Sequence, residues 1–137
     1  MKLDECMAEG LIKKSDSAPE RIQQSVALGD RFLKSAEKNL GMGEFEVCEM
    51  VAYMAVFHHA RALLFRKGFI ERSHACLFSA LKVLYPEIED VIALGDKMRV
   101  ERHGVQYRGF SSDKDSAEFA LQSAKRFADE AKRALKG

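Results

Sequence analysis

The stretch Met98-Arg99-Val100-Glu101-Arg102-His103-Gly104-Val105-Gln106-Tyr107-Arg108 is the densest group of side chains able to do chemistry in this sequence. On a helix, Arg99, Arg102, His103 and Gln106 stand at i, i+3, i+4 and i+7 and share one face. Two guanidinium groups beside an imidazole suit a phosphodiester. Arginine can grip phosphate oxygens bidentately, and histidine exchanges protons near neutral pH. Tyr107 follows one turn after His103, placed to donate to a phosphate or to stack on a base. Gly104 is costly inside a helix, by about 1 kcal/mol relative to alanine, and leaves room for a close approach or a local distortion. The same spacing also describes a solvated face on which Glu101 balances the arginines.

Other reactive side chains are less well organised. His58 and His59 are adjacent in an apolar segment, so on a helix they point about 100° apart and cannot readily share a metal. With His74 and His103 they complete the histidine inventory, and no cysteine or carboxylate stands at ligand spacing. The expectation is a histidine bonded to a neighbouring helix, with no metal and no cofactor. Cys6, Cys48 and Cys76 are odd in number and widely spaced, which favours reduced thiols over a disulfide framework. Arg66, Lys67 and Arg72 fall where they can stabilise the end of a helix. There is no glycine-rich phosphate loop, nucleophile elbow or aspartate dyad.

The elements that must position these residues read almost entirely at helical period. A short helix over residues 2–9 is ended by Gly10. Ser17-Ala18-Pro19-Glu20 offers a capping box with proline in the first turn of a long helix. Its stripe is Ile22, Val26, Gly29, Leu33, Ala36 and Leu40, broken by Gly41 and Gly43. The next helix, Glu44 to Lys67 with Gly68 after it, is apolar nearly all round and therefore belongs at the centre. A shorter helix spans about Ser73 to Leu84. Pro86 opens another, whose stripe Ile88, Val91, Gly95, Met98, Arg102 and Val105 turns polar at Arg102. Ser112-Asp113-Lys114-Asp115 supplies a further capping box. The last helix lines up Ala117, Ala120, Leu121, Ala124, Phe127, Ala128, Ala131 and Leu135. No run alternates with period two for long enough to indicate a strand. The fold class is all-α: a single domain over residues 1–137, built as a four-to-five-helix up-and-down antiparallel bundle.

Composition narrows the function. With 47% hydrophobic and 31% charged residues over 137 positions, the chain can bury a core and is neither disordered nor fibrous. A formal net charge of +1 supplies no global field toward nucleic acid, so RNA binding would need a local basic cluster. The acidic start Met-Lys-Leu-Asp-Glu-Cys is no signal peptide. Val51 to Phe65 is interrupted by His58, His59 and Arg61 and is too short to span a bilayer. A soluble, cytoplasmic protein without membrane attachment is expected.

The run Ala52-Tyr53-Met54-Ala55-Val56-Phe57-His58-His59-Ala60-Arg61-Ala62-Leu63-Leu64, then Gly68, then Ser73-His74, resembles the second helix and following turn of HEPN-domain proteins. The resemblance extends to the short N-terminal helix before Leu11-Ile12-Lys13-Lys14, the polar cluster and the alanine-rich closing helix. It implies a helical bundle that forms a homodimer. Many members of the family act with a minimal nucleotidyltransferase as a toxin–antitoxin pair, and the active ones are metal-independent ribonucleases. Their motif is an arginine, a polar residue, a few variable positions and a histidine, with two copies meeting across the dimer. Arg102-His103-Gly104-Val105-Gln106-Tyr107 matches the arginine, the polar second position and the spacing, but places tyrosine where the family has histidine. By this resemblance Arg102, His103 and Tyr107 are the catalytic candidates, and Arg99, Gln106 and Arg108 flank them as RNA- or nucleotide-binding residues. The alternatives are a non-catalytic partner that docks a nucleotidyltransferase, with Tyr107 as docking or acceptor site, and a plain helical interaction module.

Overall fold

The computed structural model describes residues 1–107, 109 and 111–137, with Tyr107 described as backbone alone. Six α-helices occupy most of the described residues: α1 (Leu3–Ala8), α2 (Ile22–Gly41), α3 (Phe45–Arg66), α4 (His74–Leu84), α5 (Glu89–Tyr107) and α6 (Lys114–Lys136). The architecture is the expected all-α bundle, five helices with the short α1 added.

Helix α3 sits at the centre because it has no polar face. Cys48, Ala52, Tyr53, Ala55, Val56, Ala60, Leu63 and Leu64 are all fully buried, and they look outward in every direction from the helix axis. Helices α2, α4, α5 and α6 all pack on it. Each leucine buried there contributes about 1.5–3 kcal/mol relative to exposure. The last helix behaves as its stripe predicts, burying Ala117, Leu121, Ala124, Phe127, Ala128 and Ala131 while Leu135 packs at the edge of the core. Helix α5 buries Val91, Ile92 and Met98, Ile88 is buried in the 3-10 turn just before it, and Arg102 continues the same side at half-burial.

Small residues permit the close contacts. A Cβ on Gly29 of α2 would lie 2.6–2.9 Å from the ring of His59, and one on Gly95 would meet Phe78, Phe127 and Val56 at 2.8–3.1 Å. Both glycines stand on the predicted stripes, where a larger side chain would force the helices apart.

Four sequence expectations need correction. First, Cys6 and Cys76 are joined by a disulfide that ties α1 to α4, leaving Cys48 as the free, buried thiol. The partners lie 70 residues apart, and only the packing of α1 on α4 brings their Cα atoms to 5.9 Å. Second, two strands are present: β1 (Ile12–Lys14) pairs antiparallel with β2 (Phe69–Glu71), Ile12 opposite Glu71 and Lys14 opposite Phe69. Three residues are too few for alternation to register, and the ladder depends on a partner far away in the chain. Third, Ser17 makes no side-chain cap, because its backbone is helical (φ −90°, ψ −4°) rather than extended. Residues Ala18–Arg21 wind as a 3-10 turn before α2 begins. Fourth, the cap of α6 is Asp113 rather than Ser112: extended at ψ 178°, it accepts from the Ser116 amide at 2.8 Å. No helix among the described residues is long and apolar enough to cross a membrane.

Candidate functional site

The polar stretch predicted to carry chemistry forms the last two turns of α5, and the fold divides its residues between two environments. Arg99 and His103 line a cleft of about 590 Å³. Gly104 of the same helix, Glu49 of α3, Ser112 and Ser116 share its walls. Arg102 does not line it but shares a small hollow with Glu49 and Glu101 of its walls. Its guanidinium carbon lies 4.9 Å from the centre of the Tyr53 ring, and its Nη1 donates to Gln106 Oε1 at 2.7 Å. Arg99 is steadied by Asp96, to which its Nε donates at 2.8 Å, while Lys82 Nζ approaches the other carboxylate oxygen at 3.4 Å. The side chain of Tyr107 and the whole of Arg108 lie outside the described residues.

Beneath Arg102 the structure adds two residues that spacing did not single out. Tyr53 Oη and His74 Nδ1 share a hydrogen bond of 2.7 Å, and the His74 ring stacks on Phe57 with centroids 4.1 Å apart. His74 reaches this position because Ser73 caps α4, accepting from the Cys76 amide at 3.1 Å. Burial lowers the His74 pKa, and the nearby Arg102, Arg99 and Arg61 add to the effect, so the ring is neutral at pH 7. Burial raises the Tyr53 pKa against the opposing pull of Arg102 and Arg99, so its hydroxyl keeps its proton. A tyrosine inside an otherwise apolar helix needs a partner for its hydroxyl. That need was the available signal.

Glu49 is the third residue missed. Burial raises the pKa of its carboxyl, and Glu101, Asp113 and Glu46 push in the same direction. Its Oε2 is buried with no hydrogen-bond partner among the described residues. A carboxyl of raised pKa beside an imidazole and a guanidinium can hold or release a proton close to a bound anion. Its neighbour Glu46 behaves oppositely: the Ser112 amide donates to Oε1 at 3.1 Å and lowers the pKa.

Of the other two histidines, His59 is engaged in the fold. His59 donates from Nδ1 to the Ala55 carbonyl at 2.8 Å and meets Asp30 Oδ1 through Nε2 at 3.1 Å, bonded to a neighbouring helix as the sequence reading expects. Arg66 hydrogen-bonds the carbonyls of Leu135 and Gly137, so it secures the end of α6 rather than that of its own helix. Among the described residues no group of three or more His, Cys, Asp and Glu side chains could hold a metal ion.

Comparison with known proteins adds one finding. A family model described as the HEPN domain matches residues 22–134, from the first residue of α2 into the last turn of α6. No curated protein matches the chain. The match covers the helices that build both the core and the α5 cleft, and the chain therefore belongs to the HEPN-domain family.

Proposed function

We propose that this HEPN-domain protein is the toxin-like partner of a minimal nucleotidyltransferase, that it binds RNA or a nucleotide at the α5 cleft, and that it cleaves RNA without a metal. The observation that supports this most is the convergence of Arg99, His103 and the raised-pKa carboxyl of Glu49 on one cleft, with Arg102 fixed beside it by Tyr53 and Gln106. Metal-free RNA cleavage needs three things: cations for the phosphate, a group that takes the 2′-hydroxyl proton, and a group that protonates the departing 5′-oxygen. Arg102 and Arg99 supply the first, and His103 with Tyr107 supplies the proton handling. Gln106 and Arg108 extend the contact along the strand. A homodimer that brought two such clusters to one groove would concentrate the positive charge that a net +1 monomer lacks.

The test is incubation of purified protein with single-stranded RNA in the presence of EDTA. Cleavage is expected, falling at least about a hundredfold in Arg102→Ala if that side chain holds the phosphate in the transition state. If the protein neither binds nor cleaves RNA, and Arg102→Ala leaves the cellular phenotype intact, the reading fails. A second reading rests on Tyr107, which stands where the family motif has histidine: a non-catalytic partner whose tyrosine accepts a nucleotide. Incubation with the partner enzyme and ATP would then add the mass of the transferred nucleotide to a peptide containing Tyr107. Tyr107→Phe would abolish that gain.

A further inference from the structure

A second cavity, of about 300 Å³, lies between the start of α2 and the C-terminal half of α3 and shares no lining residue with the α5 cleft. Its charged walls are Arg21 and Arg61, joined by Gln24 and His58 and backed by the apolar Leu28 and Phe65. No carboxylate lines it. The clefts elsewhere differ: one is flanked by Glu49 and Glu101, another by Asp4, another by Glu87 and Glu130.

The two arginines are held by the same aromatic ring. The guanidinium carbon of Arg61 lies 5.0 Å from the Phe65 centroid and that of Arg21 lies 5.8 Å from it. Arg61 gives its Nε to Glu71 Oε1 at 3.0 Å, an ion pair that does not use its two terminal nitrogens. Arg21 forms no ion pair among the described residues. His58 adds a buried polar group. Its residue is 7% exposed, it lines the cavity, and Nδ1 has no hydrogen-bond partner among the described residues. Stacking on Phe32, with centroids 5.5 Å apart, fixes the plane of the ring. The Ser25 hydroxyl donates to the His58 carbonyl at 2.7 Å and so locks α2 to α3 at the floor.

We propose that this cavity binds a small phosphomonoester of mononucleotide size, its phosphate bridging Arg21 and Arg61 with His58 and Gln24 completing the hydrogen bonds. Two guanidinium forks on one cavity match the oxygens of a dianionic phosphate. A volume near 300 Å³ is at the small end of ligand sites, large enough for a compact metabolite and too small for a folded polymer. Leu28 and Phe65 offer an apolar wall to the organic part of the ligand. The inference stands apart from the proposed chemistry at α5 and does not depend on it.

Three probes test it on the intact ¹⁵N-labelled protein by NMR titration: adenosine monophosphate, inorganic phosphate and adenosine. The first two should shift Arg21, Gln24 and the His58 ring saturably, and adenosine should not. Because a hydrogen bond to a charged group is at stake, Arg21→Ala should weaken adenosine monophosphate binding roughly tenfold or more. Gln24→Ala should weaken it less, and in Arg102→Ala the saturable shifts of Arg21, Gln24 and the His58 ring should persist. Arg21 and Gln24 are exposed, so neither change threatens folding. The proposal is overturned if no probe saturates, if adenosine binds as well as its phosphate, or if the shifts centre on Arg99 and His103 and vanish in Arg102→Ala.

Discussion

The seam where α2 crosses α3 and the end of α5 both carry histidine and charge, yet the fold uses them differently. At the seam, His59 is fully buried, its two nitrogens occupied by the Ala55 carbonyl and Asp30, and Asp30 is held in turn by Lys132 at 2.8 Å. Gly29 lies flat against that ring. At the end of α5, His103 is exposed at the rim of a 590 Å³ cleft, beside an arginine and a carboxyl of raised pKa. A polar residue with a rigid partner on each side serves the packing. One that borders open volume is available to a ligand. Residue type does not separate the two cases; the neighbouring helix does.

The strongest way to break the comparison is to loosen the frame behind the α5 end while leaving the seam intact. Cys76→Ser removes the covalent tie between α1 and α4, and α4 carries the His74 that lies beneath Tyr53 and Arg102. Closing a loop of 70 residues restricts the unfolded chain enough to stabilise the fold by about 4 kcal/mol in the chain-entropy account. Urea denaturation of the oxidised protein should show a loss of that order in Cys76→Ser and in Cys6→Ser. The double variant should lose no more than either single one. If the losses add, the two thiols are not bonded to each other.

Acid should act next, and it should act on the seam. Burial, followed by the charge of Arg61 and the proximity of His59 and His74, lowers the His58 pKa to about 4 from its ordinary 6.5. The unfolded chain therefore takes up a proton below pH 6.5 that the folded chain refuses until about pH 4. In that window the unfolded state binds more protons, so stability falls as pH falls. The loss from this residue is about 3 kcal/mol, and the lowered pKa values of His59 and His74 steepen it further. Denaturant midpoints measured from pH 7 to 4 should show the slope, and His58→Gln should flatten it. A flat profile in the unmodified protein would contradict a neutral, buried His58.

Most of the frame was legible because periodicity reports burial directly. The all-round apolar pattern of residues 44–67 placed α3 at the centre, and the stripes of α2, α5 and α6 named the faces that pack on it. Features set by distant pairing left no such trace. The Cys6–Cys76 bond and the β1–β2 ladder each join short segments whose own composition is neutral, so only the closed fold reveals them. Ser17 illustrates the same limit locally, since the right residue type before a helix caps it only if its backbone is extended there. For the α5 cluster, spacing found the helix face but not its division. Arg102 leaves Arg99 and His103 because a tyrosine from α3 presents its ring at that point, and Tyr53, His74 and Glu49 enter from helices that the cluster's own sequence does not mention.

Two glycines of α2 sharpen the difference between packed and open positions within one helix. A methyl group at Gly29 would press on a ring held at both nitrogens, so the contact cannot relax cheaply. Overpacking of this kind costs about 1–3 kcal/mol, partly offset by the roughly 1 kcal/mol by which alanine favours a helix. Gly29→Ala should therefore be destabilised by up to about 2 kcal/mol in denaturant melts. At Gly41, where nothing lies within 4 Å, the same change should be neutral or stabilising.

The smallest effect should come from the α5 end itself, as expected if that end serves the proposed ligand rather than the packing. Arg102→Ala removes a half-buried guanidinium that rests on Tyr53 and bonds the exposed Gln106. A cation over an aromatic ring contributes about 0.5–1 kcal/mol at the surface and about 2 kcal/mol when desolvated, so a loss of about 1 kcal/mol is expected. His103→Ala, at an exposed position, should change stability by less than about 0.5 kcal/mol. Equilibrium unfolding of the two variants, read beside Gly29→Ala, should rank them below the seam. A loss above about 2 kcal/mol in Arg102→Ala would instead make that arginine part of the packing. The assignment of the α5 end as the ligand-facing region would then move to Arg99, His103 and Glu49 alone.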